Sequence, residues 1–208
     1  MAHGLTPGLF WRRGLLALAA VFCLAVAAPA TAQVSSSDAV GFITTLGNQL
    51  VGLINQGVDS PDRRQQLQTV VDRDVDVDGV AQFCLGRFWR IATPAEQQEY
   101  QNMFHDVLMR SLTANLGDYQ GVTFSVGQVV PANDGGVAVQ TTLTRPNNAP
   151  NNVQWIVISK GGSLKVADLV VEGASLRLAK RAEYASFLQN NGNSIEALIS
   201  ALKAQAQT

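Results

Sequence analysis

Several residues in this 208-residue chain have types and spacings that chemistry could use, and each can be set against the motif it would need. Asp74, Asp76, Asp78 and Gly79 stand at positions one, three, five and six of a calcium-binding loop, where alternating oxygens surround the ion and glycine makes the turn. The twelfth position, which must supply a bidentate carboxylate, is Leu85. The run therefore reads as an acidic approach to a helix, whose N-terminus favours negative charge. Gly173-Ala174-Ser175-Leu176-Arg177 begins like a nucleophile elbow but lacks the second glycine of Gly-x-Ser-x-Gly. His105 falls on the flank of a helical face with no acid partner evident in the sequence, and reads as a solvated or hydrogen-bonded side chain. Cys84, between Phe83 and Leu85, reads as a buried small hydrophobe, because a reactive thiolate needs an electropositive, accessible setting. Asp168 lies among apolar residues and must be either on an exposed face or satisfied by backbone amides or by an arginine such as Arg181. Arg87, Arg90 and Arg110 could meet phosphates or an acidic partner, but being scattered they read as solvated surface. No catalytic residue, cofactor or metal set is assigned.

The elements that must position these residues begin after a leader. Arg12 and Arg13 form a basic start, Gly14 to Ala28 is an apolar run too short to span a bilayer, and Ala30-Thr31-Ala32 fits a small-x-small cleavage site before Gln33. Residues 1–32 are thus expected to be a cleavable signal peptide, and 33–208 a single exported domain. The arginine pair lacks the Phe-Leu of a twin-arginine signal in the usual place, and Phe22 before Cys23 is unlike a lipoprotein site. Cleavage would remove two of the 15 basic residues and none of the 16 acidic ones, leaving a formal net charge of −3 and disfavouring nucleic acid as a partner. Cys84 would then be the lone cysteine, so no internal disulfide can form and the fold must stand on its apolar core.

Ser35 to Asp38 can cap a helix with apolar positions Val40, Ile43, Leu46, Leu50 and Ile54. Ser60-Pro61 opens a shorter one, and Thr93-Pro94 with Glu96 forms a capping box for a long helix with Tyr100, Phe104, Val107, Leu108, Ser111 and Leu112 on one face. Alternation then marks four strands: Val122 to Gly127, Val137 to Leu143, Val153 to Ile158 and Leu164 to Val171. The turns between them suit an antiparallel meander. Two helices close the chain, from about Ser175 to Leu188 and after Ser194. The fold class is α+β: a curved four-stranded antiparallel sheet packed against several helices, with an apolar pocket between the layers.

Two blocks carry a family resemblance. Leu85-Gly86-Arg87-Phe88-Trp89-Arg90-Ile91-Ala92-Thr93-Pro94-Ala95-Glu96-Gln97, with Phe104 and Leu108, resembles a segment of the MlaC (toluene-tolerance) family of phospholipid-binding proteins. Asp168, Glu172-Gly173-Ala174-Ser175-Leu176 and Arg181 to Phe187 resemble a second segment, and the order of elements agrees from Gln33 to Lys203. Departures are Leu112, where the family commonly has tyrosine, and Leu178-Ala179 in place of a polar-aromatic pair. The resemblance implies a periplasmic carrier, monomeric, that shelters acyl chains between sheet and helices. It implies exchange of phospholipid between an inner-membrane ABC transporter complex and an outer-membrane lipoprotein/porin complex, maintaining outer-membrane asymmetry. A branch of the family is associated with hopanoids, an alternative cargo.

Strand parity and the four-residue helical step place Phe124, Val137, Val139, Trp155 and Val157 with Phe104 and Leu108 as the lining of such a pocket. The competing readings are a small-molecule-binding or hydrolytic α+β enzyme, and an export module that binds only proteins.

Overall fold

The computed structural model describes residues 34–56 and 61–207. The leader and the Ser60 cap lie outside the described residues. Six α-helices and one sheet are seen among them: α1 Ser36–Asn55, α2 Pro61–Asp74, α3 Val77–Leu85, α4 Pro94–Asn115, α5 Leu176–Asn190 and α6 Ile195–Gln207. The strands are β1 Thr123–Pro131, β2 Val137–Thr144, β3 Asn151–Lys160, β4 Ser163–Val171 and β5 Ala174–Ser175. They form an antiparallel meander in the order β1-β2-β3-β4-β5, one strand more than expected.

Local chemistry fixes the helix starts. The Ser35 hydroxyl accepts from Asp38 N at 3.1 Å, and Asp76 accepts from Gly79 N at 3.0 Å to open α3. At α4 the capping box closes in both directions: Glu96 N donates to Thr93 Oγ1 at 3.2 Å, and Thr93 N donates to Glu96 Oε2 at 2.8 Å. The Thr93 amide, and after it the Thr93 hydroxyl donating to the same oxygen at 2.7 Å, hold the Glu96 carboxyl below its usual range. Ser194 caps α6, which buries Ile195, Leu198, Ile199 and Leu202 as the periodicity requires.

The buried face of α1 is rotated from the expected stripe. Ala39, Ile43, Leu46, Gly47 and Leu53 are buried, while Val40, Leu50 and Ile54 are half-exposed. Small residues explain the turn, since Gly47 lets the backbone come against the sheet. A methyl group there would stand 2.4 Å from Cζ of Phe124 on β1. Gly47→Leu should therefore destabilise the fold by about 1–3 kcal/mol through overpacking, read as a lower urea midpoint at unchanged slope.

The fifth strand comes from turn chemistry. Glu172 and Gly173 have φ of 47° and 84°, a pair of left-handed residues between the opposed Val171 and Ala174. That is the geometry of a two-residue hairpin, so the chain folds back onto β4 before α5 begins. The far end of β4's outer edge is covered by a parallel bridge between Val75 and Val166, with Asp76 N donating to Val166 O at 2.9 Å. Lys165 Nζ donates to the Asp72 and Arg73 carbonyls, satisfying acceptors at the end of α2. The acidic run thus enters α3 as expected, and two of its carboxylates are paired within the protein: Asp74 with Arg73, Asp76 with Lys160. Among the described residues no group of three or more His, Cys, Asp or Glu could hold a metal.

Candidate functional site

Cross-strand partners in an antiparallel sheet share a face, so the register defines the wall that faces the helices. Val137 opposes Val157, Val139 opposes Trp155, Thr141 opposes Val153 and Phe124 opposes Leu143. The bulges at Val126/Val129 and Ile156/Val157 re-aim β1 and β4 without losing Val129, Val166 and Leu169 from that side. Val139 and Val157 are fully buried, and Thr141, the polar residue in the wall, is satisfied: its hydroxyl donates to Val153 O at 3.1 Å and accepts from Trp155 Nε1 at 2.9 Å.

Of the seven residues expected to line a pocket, Phe104, Val137, Val139 and Val157 belong to one buried apolar cluster, and Leu108 and Trp155 pack against it. Phe124 sits apart, on Gly47 of α1. Phe104 stands in an aromatic trio with Tyr100 and Tyr184, centroids 6.1 to 6.4 Å apart. Tyr100 is fully buried and donates to Ala81 O at 2.9 Å, which locks α4 to α3.

The helix layer also carries two open clefts on either side of α2. One of about 430 Å³ lies against α1 and is lined by Asn48, Gln49, Gly52, Leu53, Gln56, Gln66, Thr69 and Val70. The other, about 580 Å³, lies against α4 and has Arg64, Gln65, Gln68, Met109, Arg110 and Thr113 among its walls. None of the seven expected residues lines either cleft, and of the polar positions that do the sequence reading had singled out Arg110 alone. Their only signal was the concentration of amides on α1 and α2.

His105 is hydrogen-bonded, as the sequence reading had it, but to an acid that the sequence did not make evident. It has an acid partner, Asp72 of α2, with Nε2 at 2.7 Å from Oδ1, and Nδ1 lies 3.8 Å from Asp106. Only the Asp72 contact is within hydrogen-bond distance. The pair joins α2 to α4. Ser175 is likewise committed: its hydroxyl donates to Asp168 Oδ2 at 2.5 Å and accepts from Leu178 N at 3.1 Å.

Asp168 is buried and satisfied at the β5–α5 junction. Besides Ser175 it accepts from Arg177 N at 3.1 Å, and Arg177 Nε lies 3.4 Å from Oδ2. The arginine partner is therefore Arg177, not Arg181. Both guanidiniums lie over Phe83 of α3, at 4.4 and 4.9 Å from its ring centroid.

The arrangement is an apolar sheet wall under a helix layer, and sequence comparison shows the family it belongs to. The profile of the MlaC protein family matches residues 46–204. The chain belongs to the MlaC family. It is 31% identical over 193 residues to the toluene tolerance protein Ttg2D of Pseudomonas putida, covering 90% of this chain and 87% of that one. It also shares a fold, at a TM-score of 0.68 and 24% identity, with a phospholipid-binding protein from Ralstonia solanacearum solved in complex with a phospholipid. That match covers 80% of this chain and 96% of the other.

The two blocks that resemble MlaC segments meet in space. Gly86, at φ 61°, has no side chain where a methyl would stand 3.1 Å from the Arg181 guanidinium, and Cys84 Sγ lies 3.6 Å from Arg177 O. In this MlaC protein the motifs are thus one brace fixing α3, α5 and the edge of β4. Cys84 is buried as expected, and burial pushes its thiol up from 9.0 to about 12, against smaller lowering effects of Lys180, Arg177 and Arg181. Burial also raises the Tyr100 and Tyr184 hydroxyls. A group with a raised folded value contributes stability that is whole below its unfolded value and lost as pH climbs toward the folded one. Stability should therefore hold to about pH 9 and fall progressively toward pH 12. Urea midpoints measured at about pH 8 and about pH 10.5 check this, and Cys84→Ala should lessen the alkaline loss. A thiol reagent should label native Cys84 no faster than the native state opens.

Proposed function

We propose that this protein is an exported lipid carrier, not an enzyme, that holds the acyl chains of a phospholipid between the sheet wall and the helices. The observation that carries the reading is the apolar sheet face Val137, Val139, Trp155 and Val157, which shares one apolar cluster with Phe104 and Leu108, in a chain of the MlaC family. The fold neighbour's phospholipid and the toluene-tolerance relative support it. In this reading residues 1–32 are the cleaved leader, the carrier works as a monomer in the periplasm, and it trades lipid between an inner-membrane ABC transporter complex and an outer-membrane lipoprotein/porin complex. No helix among the described residues is long and apolar enough to cross a membrane.

Energetics explain why such a carrier needs docking partners. At about 0.8 kcal/mol per buried CH₂, one chain of roughly sixteen carbons gains on the order of 12 kcal/mol over water. Two chains would reach about 25 kcal/mol, an upper bound beyond the practical affinity ceiling of about 18–21 kcal/mol. Lipid should survive dilution and washing, and release should require a partner that offers the tails an apolar path. Mass spectrometry of lipid extracted from the purified exported protein tests the reading. Near-stoichiometric lipid is expected, its mass distinguishing diacyl phospholipid from hopanoid; protein that extracts with none would overturn it.

A further inference from the structure

We infer that the cleft between α2 and α4 binds the phosphate group of an anionic ligand, in the first place the headgroup of the carried lipid. The inference rests on the carrier reading for its source of phosphate, but its geometry stands independently. α2 and α4 meet at the Asp72–His105 pair, and the cleft is walled by residues further toward the start of α2 and the end of α4: Arg64 and Gln68 from one, Met109, Arg110 and Thr113 from the other. The pair therefore closes one end of the cleft.

Charge sets this place apart. In a chain whose acidic residues outnumber its basic ones, Arg64 and Arg110 are among the residues that line the cleft, with Gln65 and Gln68, and the Asp72 carboxylate at its closed end is engaged by His105. Arg110 also reaches Ala206 O at 3.4 Å, which holds its side chain along the α4–α6 seam. Guanidinium forks suit phosphate oxygens, and amides supply further donors. Met109 gives the site its second character. It lines the cleft and also packs against the apolar cluster that contains Phe104, Val139 and Val157. A cationic mouth over an apolar floor continuous with the core is the order in which a phospholipid presents its parts: phosphate outside, ester-linked tails within. The α1–α2 cleft, lined by amides, a threonine and apolar groups without a charged side chain, lacks this complementarity.

The test uses the purified exported protein and its Arg64→Gln/Arg110→Gln double variant, both freed of lipid and offered vesicles holding equal amounts of phosphatidylglycerol and diacylglycerol with the same acyl chains. Wild type should take up phosphatidylglycerol preferentially, and the double variant should lose about tenfold of that preference while binding the same total lipid. An equal preference in both proteins excludes the lipid headgroup as the ligand and leaves the carrier reading standing. Failure of wild type to take up either lipid removes the carrier reading itself. Inorganic phosphate, followed by ³¹P line broadening with each protein, separates the sources. Broadening with wild type that the variant abolishes, without a lipid preference in either, assigns the cleft to free phosphate. No broadening together with a lost lipid preference assigns it to the headgroup, and no difference in either arm overturns the inference.

Discussion

Replacing Asp168 with alanine is expected to destabilise the protein by about 3–5 kcal/mol, the usual result of removing one partner of a buried ion pair. The side chain is 4% exposed and serves three groups at once: the Ser175 hydroxyl, the Arg177 amide and the Arg177 guanidinium. Its loss would leave the Arg177 Nε, itself buried, without a counter-charge, and would free the Arg177 amide just where the hairpin hands the chain to α5. Asp168→Asn keeps the shape and one acceptor but not the charge, so it should fall between alanine and wild type. A double-mutant cycle with Arg177→Met separates pairing from packing. Removing both partners should be milder than Asp168→Ala alone, because no buried charge is then left uncompensated. Additive losses in urea unfolding would mean that the two side chains act independently, and the brace between β4 and α5 would need another account.

That brace shows what the sequence disclosed and what it withheld. Caps are local, so the Thr93–Glu96 box, Ser175 and Ser194 were legible from spacing alone, and the helices they start lie where expected. Alternation likewise revealed the four long strands and put Val137, Val139, Trp155 and Val157 on one face. The fifth strand escaped because it depends on Glu172 adopting a left-handed φ of 47°, which a glutamate rarely does. Asp168 is satisfied by a backbone amide and an arginine, as read, but the arginine is Arg177 where Arg181 was named, since the hairpin turns Arg177 back toward β4. His105 and Asp72 are 33 residues apart, and nothing in either neighbourhood announces that α2 and α4 will pass close enough to pair them. The rotation of α1 is a tertiary effect: periodicity counts apolar side chains, whereas packing selected the small ones, Ala39 and Gly47.

Val139→Trp and Val157→Trp are expected to remove most of the bound lipid while leaving the lipid-free protein folded. Both valines are fully buried on the wall, one opposite Trp155 and the other opposite Val137. An indole has the reach to enter whatever space lies between the sheet and α4. Two situations can place a valine out of water there. If its neighbours are side chains packed to the density of a core, the added rings force off-rotamer positions at a cost of about 1–3 kcal/mol, and lipid binding elsewhere would be untouched. If the layers part to admit acyl chains, the indole occupies volume the tails would use, and the loss appears in lipid content instead. Because bound lipid itself stabilises the protein by mass action, the comparison must be made on lipid-free samples, where the two mechanisms no longer mimic each other. Lipid per protein from extraction and the urea midpoint of the lipid-free form are the two readouts. A clear drop in the first with a midpoint near wild type places these residues in the pocket. A large drop in the midpoint with full lipid content would make the wall an ordinary core and move the cargo to other residues.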